Sequence, residues 1–422
     1  MRILLLGSGG REHAIGWKLA QSPRLDRLVS CPGNPGLAQL GDIVPDVDPN
    51  DPEAVVALSA DREIDLVVIG PEAPLAAGVA DALRAAAIPV FGPNADGARL
   101  ESSKSFAKEV MAAAHVPTAR SARYNDREAA VMRLEESDGP YVVKADGLAA
   151  GKGVLVTESL EHAITWVDAL LGGRFGPAGS SLVIEDYLEG DEISVIYICA
   201  NEEAIPLEPA RDYKRLEDGD TGPNTGGMGS YSPVDDIPDD IVDWTTVNVT
   251  LPVLGELARR GIAYTGFLYV GLMITEDGPR VLEFNCRLGD PETQVLMPRL
   301  ESDLLDILNA GATTSLAGRT LEWSPRSAVD VVLASPGYPD DPETGLTIIG
   351  VDRVNEALVF HAGTKQTEAK LLTAGGRVLN VVGVGDTLEE ARLEAYAAAD
   401  LIQFHGKQVR TDIAGEKEGT HQ

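Results

Sequence analysis

Met1-Arg-Ile-Leu-Leu-Leu-Gly7 runs straight into Ser8-Gly-Gly-Arg-Glu-His13. The apolar run reads as a buried first strand. The glycines read as a tight turn into a helix over 11–21. The pattern repeats with a strand over 27–30, then a continuous apolar strand, Leu66-Val-Val-Ile69, ending in Gly70-Pro71. A helix over 76–87 and a short extended stretch over 89–91 follow. Strands without polar alternation, separated by helices, imply a parallel sheet covered on both faces.

Near residue 100 the pattern changes. A helix is expected over 102–114, with serines at its start and Pro117 beyond its end. Residues 141–144 and 153–156 read as antiparallel strands around 145–152. A helix near 160–171 and a strand over 181–185 complete a small α+β unit. Strands are expected over 193–199 and 267–275, the latter paired through Glu276-Asp-Gly278 with 280–284. Residues 212–233 are Gly-rich and polar and read as a long functional loop. From 327 the chain restarts with a strand over 329–334, a hairpin-rich segment, an Ala-rich helix over 388–402 and a polar tail over 414–422. The expected class is α/β and α+β multidomain. The expected units are an N-terminal parallel-sheet domain (1–101), a central body with a small lid (102–325, lid about 120–188) and a β-rich C-terminal domain with its tail (326–422).

Length and composition agree with this division. The chain has 422 residues, 44% hydrophobic and 24% charged, as in an ordinary globular protein of ~3 domains. Its net charge of −31 disfavours nucleic acid and anionic lipid as partners. Cys31, Cys199 and Cys286 are far apart and lack metal-type spacing, which suits free thiols in the cytoplasm. The opening apolar run is too short for a signal peptide, and no run approaches membrane-spanning length.

The chemistry concentrates in Val281-Leu-Glu-Phe-Asn-Cys-Arg-Leu-Gly-Asp-Pro-Glu-Thr-Gln294. On a strand Glu283 and Asn285 share one face. A carboxylate beside an amide oxygen, with Arg287 just beyond, suits a magnesium-nucleotide site. Gly7 to His13 offers backbone N–H groups to an anion, although its glycines lack dinucleotide-fingerprint spacing. Asn34-Pro-Gly36 and Gly70-Pro-Glu-Ala-Pro74 fall at the carboxyl edge of the sheet, where open α/β folds bind ligands. Lys144-Ala-Asp-Gly-Leu-Ala-Ala-Gly-Lys-Gly153 fails as a Walker loop in spacing and in joining strand to strand. It reads instead as a flexible lid with a lysine on either side. Glu185 closes one strand and Glu192 opens the next; alone they read as a charged connector. The six histidines are dispersed, and no nucleophile constellation stands out. Catalysis would rest on positioning and charge neutralisation around phosphate.

With these motifs, the chain resembles the phosphoribosylamine–glycine ligase (glycinamide ribonucleotide synthetase) family of the ATP-grasp superfamily, from residue 1 to about 404. The most specific pieces are Gly7 to His13, Gly70 to Leu75, Val143 to Gly153, Asp218-Gly-Asp-Thr-Gly-Pro-Asn-Thr-Gly-Gly-Met-Gly229 and Glu283 to Glu292. The resemblance implies a pre-ATP-grasp domain, a mobile lid, an ATP-grasp body and a C-terminal domain. It implies ligation of glycine to 5-phosphoribosylamine with ATP, through glycyl phosphate, in the second step of de novo purine synthesis.

The resemblance also implies roles for individual residues. Lys104, Lys144, Gly151, Lys152 and Gly153 would serve the nucleotide's phosphates and adenine side. Glu185 and Leu188 would read adenine, and Glu192 the ribose. Glu283 and Asn285 would hold Mg²⁺ or Mn²⁺. Asp212, Lys214 and Arg287 would face glycine and the acyl phosphate. Ser8, Gly9, Gly10, Asn34, Gly36, Glu72 and Asp290 would hold phosphoribosylamine. The chain departs from the family at Leu288, where Phe is usual, and at Arg211-Asp-Tyr213, where Gln-Asp-His is usual. A monomer acting on small molecules is expected. Three other readings fit parts of the sequence: an ATP-grasp ligase using formate or bicarbonate, a nicotinamide-dependent oxidoreductase, and a non-catalytic nucleotide-binding module.

Overall fold

The computed structural model describes residues 1–149 and 152–415. Gly151 and residues 416–422 of the expected polar tail lie outside the described residues. The first unit is a five-stranded, all-parallel sheet. Its order is Asp42–Ile43, Arg27–Pro32, Arg2–Gly7, Leu66–Ile69 and Val90–Phe91. Ile3 to Leu6 and Leu66 to Val68 are wholly buried, as strands covered on both faces require. The expected single helix over 76–87 is instead two, Glu72–Ala76 and Val79–Ala85. Gly78 lies between them at φ +81°, a left-handed conformation that ends one helix and starts the next. The turns after three strands bring Ser8 to Gly10, Asn34 to Gly36 and Gly70 to Glu72 to one edge of the sheet.

The lid is a four-stranded antiparallel sheet, ordered Ser121–Tyr124, Leu182–Glu185, Tyr141–Ala145 and Val154–Thr157. Helices Arg127–Glu135 and Leu160–Leu171 bury Leu134, Ala163, Val167 and Leu170 against Tyr141, Val143 and Leu182. This makes a small core separate from the rest. The central sheet is antiparallel, ordered Glu203–Pro206, Asp191–Ala200, Thr265–Thr275 and Gly278–Asn285. A bulge opposite Gly271 and Leu272 leaves Leu282 unpaired, with Glu283 opposite Gly271 and Asn285 opposite Tyr269.

The Gly-rich segment is not the irregular loop that its composition predicts. Arg211–Asp212 and Gly229–Ser232 pair with each other, and the second pairs with Ser327–Ala334. Both therefore belong to the C-terminal five-stranded sheet, which continues through Arg377–Gly385 to Leu358–His361. Between them Arg215–Glu217 and Thr221–Asn224 form a ribbon whose turn uses Gly219, Asp220 and Gly222 at positive φ. Polar strand residues hid this pairing because the hydrogen bonds, not apolar alternation, define it. Helix Leu388–Leu401 packs against Ser327–Ala334 and Arg377–Gly385, burying Ala391, Ala395 and Ala399. Among the described residues no helix is long and apolar enough to cross a membrane.

Candidate active site

The lid and the body meet around a set of lysines. Lys144 lies on the strand Tyr141–Ala145, and its Nζ is 2.9 Å from Glu185 Oε2 on the neighbouring strand. Lys108 closes the other side, 3.2 Å from Glu185 Oε1. Lys104 opens the helix Lys104–Ala113. Burial lowers the Lys104 ammonium, Glu283 opposes that, and Lys144 adds to it. Leu188 is half-buried in the short linker between the strands that carry Glu185 and Glu192. Gly153 is buried beside Ala145 and Ala149. Lys152 is exposed and donates to the Pro339 carbonyl of the C-terminal domain at 2.6 Å. Asp146 ties the lid to the helix at Lys104, accepting from Ser105 N (2.8 Å), Ser105 Oγ (2.9 Å) and Ser181 Oγ (2.9 Å).

Glu283 and Asn285 share a face, as the alternation predicts. Burial alone would raise the Glu283 carboxyl, but Lys214, Lys144, Lys104 and Arg287 together hold it below the ordinary value. Asn285 Nδ2 lies 3.5 Å from Glu283 Oε1, while its Oδ1 accepts from Arg287 Nη2 at 3.4 Å. A turn of the amide would set an oxygen beside the ionised carboxylate, a pair that within this ring of cations fits a hard cation. Such an ion takes one or two protein oxygens and completes its shell with phosphate and water. No all-protein cage of three or more His, Cys, Asp or Glu occurs among the described residues. Asp212 and Lys214 stand beside this pair. Lys214 bonds Glu192, and burial pushes the Asp212 carboxyl well up, Lys214 opposing while Glu292 and Glu192 add to it.

Arg287 joins the body to the N-terminal domain. Its Nη2 is 3.0 Å from Glu101 Oε1, and its Nε is 3.7 Å from Glu72 Oε2. Nη1 donates to Leu288 O at 3.1 Å. Nε is buried and makes no hydrogen bond among the described residues, so it remains a free donor beside Glu72. Burial works against the charged guanidinium, but Glu101, Glu72 and Glu292 outweigh it and keep Arg287 charged. Asp290 lies next to this group, 2.8 Å from Arg377 Nη2, and accepts from Gln294 Nε2 at 2.7 Å.

The N-terminal turns are held largely by their own side chains. Glu12 accepts from Gly9 N at 2.7 Å and from Arg11 Nε at 2.6 Å, so a carboxylate of the chain itself occupies the start of the first helix. Asn34 donates to Ser8 O (2.9 Å), Gly9 O (3.3 Å) and His361 O (2.8 Å). Its Oδ1 accepts from Gly36 N and Leu37 N, both at 2.9 Å. Asn34 therefore shapes the pocket wall through a saturated amide. Gly36 faces the His13 ring and Gly10 faces Asn380 and Gln294; a Cβ at either would overlap those side chains. Ser8 is exposed.

Sequence reading missed several of the groups assembled here. His13 and His361 are 348 residues apart, yet His361 N donates to His13 Nδ1 at 2.8 Å. Glu101 carries no motif. It accepts from Cys286 N at 2.7 Å as well as from Arg287. Arg377 and Tyr338 come from the C-terminal domain, where nothing in the composition flags them. Lys108 was findable, since it falls one helical turn after Lys104.

A lysine-lined lid with its own core, closing over a carboxylate–amide pair on an antiparallel sheet, defines an ATP-grasp ligase. Three family models match in order: the phosphoribosylglycinamide synthetase N domain over residues 1–101, its ATP-grasp (A) domain over 102–293 and its C domain over 328–416. The chain belongs to this family, whose curated members are named phosphoribosylamine–glycine ligase. The relative from Rhizobium meliloti is 49% identical over 414 residues, 98% of each chain. That from Vibrio cholerae is 46% identical over 419 residues, 98% of this chain and 97% of the relative. The crystal structure of the Thermotoga maritima phosphoribosylamine–glycine ligase superposes with a TM-score of 0.86 at 39% identity, covering 98% of this chain and 100% of that one.

Proposed function

We propose that the protein joins glycine to 5-phosphoribosylamine with conversion of ATP to ADP and phosphate, yielding glycinamide ribonucleotide in the second step of de novo purine synthesis. The observation that carries this reading is the junction at Arg287. There the nucleotide-side cluster of Lys104, Lys144, Lys214 and Glu283 meets Glu72 and Asp290 at the edge of the parallel sheet. Two substrates bound on either side of Arg287 would have their reacting ends together.

A glycine carboxylate oxygen bonds to the γ-phosphorus while the bond to the bridging oxygen breaks, giving glycyl phosphate and ADP. The amine of phosphoribosylamine then bonds to the glycyl carbonyl carbon. The carbon–oxygen bond to phosphate breaks, and the amine's surplus proton passes to solvent. Arg287, with its free Nε donor, holds the glycine carboxylate and then the acyl phosphate. Asp212 and Lys214 set the charge around it. Lys104, Lys144, Lys152 and Gly153 serve the phosphates, a role that the family resemblance extends to Gly151. Glu185 and Leu188 read adenine, and Glu192 the ribose. Glu283 and Asn285 would hold Mg²⁺ or Mn²⁺, which when bound neutralises phosphate charge. Glu72, Asp290 and the turns at Ser8 to Gly10 and Asn34 to Gly36 receive the sugar phosphate. The working units are residues 1–101, 102–325 with the lid at about 120–188, and 326–422, acting as a cytoplasmic monomer.

The test is ADP release from purified protein supplied with ATP, glycine and freshly generated phosphoribosylamine, each omitted in turn. Release should need all three. Release without glycine, or with formate or bicarbonate in its place, would overturn the assignment. Light scattering on the eluted protein checks the monomer.

A further inference from the structure

The segment leading from Asp212 through Lys214 into the ribbon is held by the chain that returns after the ribbon. Lys214 O accepts from Thr225 N (2.7 Å) and Thr225 Oγ1 (2.9 Å), and Tyr213 O accepts from Met228 N (2.8 Å). The turn Thr225 to Gly227 therefore sets where Asp212 and Lys214 stand. Two side chains of the C-terminal domain grip the Gly226 residue of that turn. Gly226 N donates to Tyr338 Oη at 2.8 Å, and Gly226 O accepts from Arg377 Nη1. Arg377 also donates to Asp290 O at 2.7 Å and to Asp290 Oδ2 at 2.8 Å, so one guanidinium spans both loops. The fit is close. Gly227 takes φ +107° against Pro291, and a Cβ at Gly376 would overlap the Tyr338 ring. Gln408 Nε2 donates to Ser335 O at 2.5 Å and, more weakly, to Tyr338 O at 3.4 Å, steadying the loop that presents Tyr338.

We propose that Tyr338 and Arg377 are positioning residues for the ligation: they clamp Gly226 from both sides of its backbone and thereby set Lys214 and Asp212 against the Asp290 loop. The inference rests on the reading of Asp212 and Lys214 given above. Neither clamp residue bonds Lys144, Glu185 or Lys108; the nucleotide side is reached only at one remove, through Lys152 on the neighbouring Pro339 carbonyl and through Glu192 on Lys214. The effect of loosening the clamp should fall mainly on the step that uses glycine.

The experiment is steady-state kinetics and melting of Tyr338→Phe and Arg377→Lys. Tyr338→Phe keeps the ring against Gly376 and loses only the acceptor for Gly226 N. It should lower kcat about 2- to 10-fold, the range of one neutral hydrogen bond, and raise the KM for glycine. The KM for ATP should move less than the KM for glycine, and the melting temperature should fall by no more than about a few degrees. Arg377→Lys cannot span both loops and should lose more in kcat, with the same split. Unaltered kcat in Tyr338→Phe, or a loss shared equally by the ATP KM, would overturn the clamp. Failure of the wild-type protein to release ADP with glycine and phosphoribosylamine would instead overturn the proposed function.

Discussion

Replacing Glu101 by Gln should cripple the use of glycine while sparing the use of ATP. Two donors converge on the two oxygens of this buried carboxylate: Cys286 N at 2.7 Å and Arg287 Nη2 at 3.0 Å. Glutamine has one acceptor oxygen, so one donor must face an NH₂ group instead. A hydrogen bond to a charged group contributes about 1.5–3 kcal/mol. At ~1.4 kcal/mol per tenfold, its loss corresponds to roughly a 10- to 150-fold drop in kcat/KM for glycine. Breaking a buried pair from one side also destabilises the fold by about 3–5 kcal/mol, so the melting temperature should fall too. Glu101 makes no hydrogen bond to Lys144, Glu185 or Lys108 among the described residues and acts on the nucleotide side through its charge on Lys104, so the ATP KM should change much less than the glycine KM. The assay pairs initial rates, with each substrate varied in turn, with a thermal melt. A Glu101→Gln protein with unchanged glycine kinetics and unchanged melting would refute the claim that this carboxylate holds Arg287.

Glu283→Gln should cost several kcal/mol of transition-state stabilisation. Retained turnover at saturating Mg²⁺ would argue against the metal pair. Asp330 is wholly buried, and burial, reinforced by Asp290, pushes its carboxyl well up against the opposing Arg377 charge and Val381 backbone. The folded state then binds a proton that the unfolded state has released above pH ~4. Stability is therefore lost as pH rises, and Asp330→Asn should melt higher than wild type at pH 8 but not at pH 4. A lower melting temperature at pH 8 would count against this. His13 and His361 behave in the opposite sense: burial, reinforced for His13 by His361, brings them down to about 3 and about 4 from 6.5. The unfolded chain takes up those protons first, so stability falls as pH drops from 6.5 towards 4, by about 1.4 kcal/mol per pH unit for each group. His361→Gln should flatten that slope, which a series of melts between pH 6.5 and 4.5 would measure.

The parallel sheet was legible because its strands are continuous apolar runs. Leu66–Ile69 coincides with the expected strand, and the helix Leu160–Leu171 coincides with its apolar period. The Glu283 and Asn285 pair was legible because strand alternation is local. What could not be read was whatever depends on non-local closure. The pairing of Gly229–Ser232 with Ser327–Ala334 is decided about a hundred residues away, by backbone groups that any residue carries. Glu101, Arg377 and Tyr338 reach the site only through contacts with segments far away in the chain, Cys286 and Arg287 for the first and Gly226 for the other two, and no residue near them records that. The break at Gly78 was missed for a different reason: its flanking alanines have high helix propensity, and only the left-handed φ ends the helix.

The charge distribution fits the same arrangement. A chain of net charge −31 repels a nucleoside triphosphate at long range, yet at physiological salt that field is damped within about 8 Å. The local cations decide instead, and most of them are already engaged. Lys144 and Lys108 hold Glu185, Lys214 holds Glu192, and Arg377 holds Asp290. These pairs keep the ammonium and guanidinium groups ordered without ligand, so an arriving phosphate meets cations already oriented. Lys152 differs. Its partner is the neutral Pro339 carbonyl, which a phosphate oxygen outcompetes because it adds a full opposite charge to the same ammonium donor. Unlike Lys144, which holds Glu185, it can be drawn away by phosphate without stranding a carboxylate. Exchange of its bond from Pro339 to a phosphate would give lid closure a favourable direction.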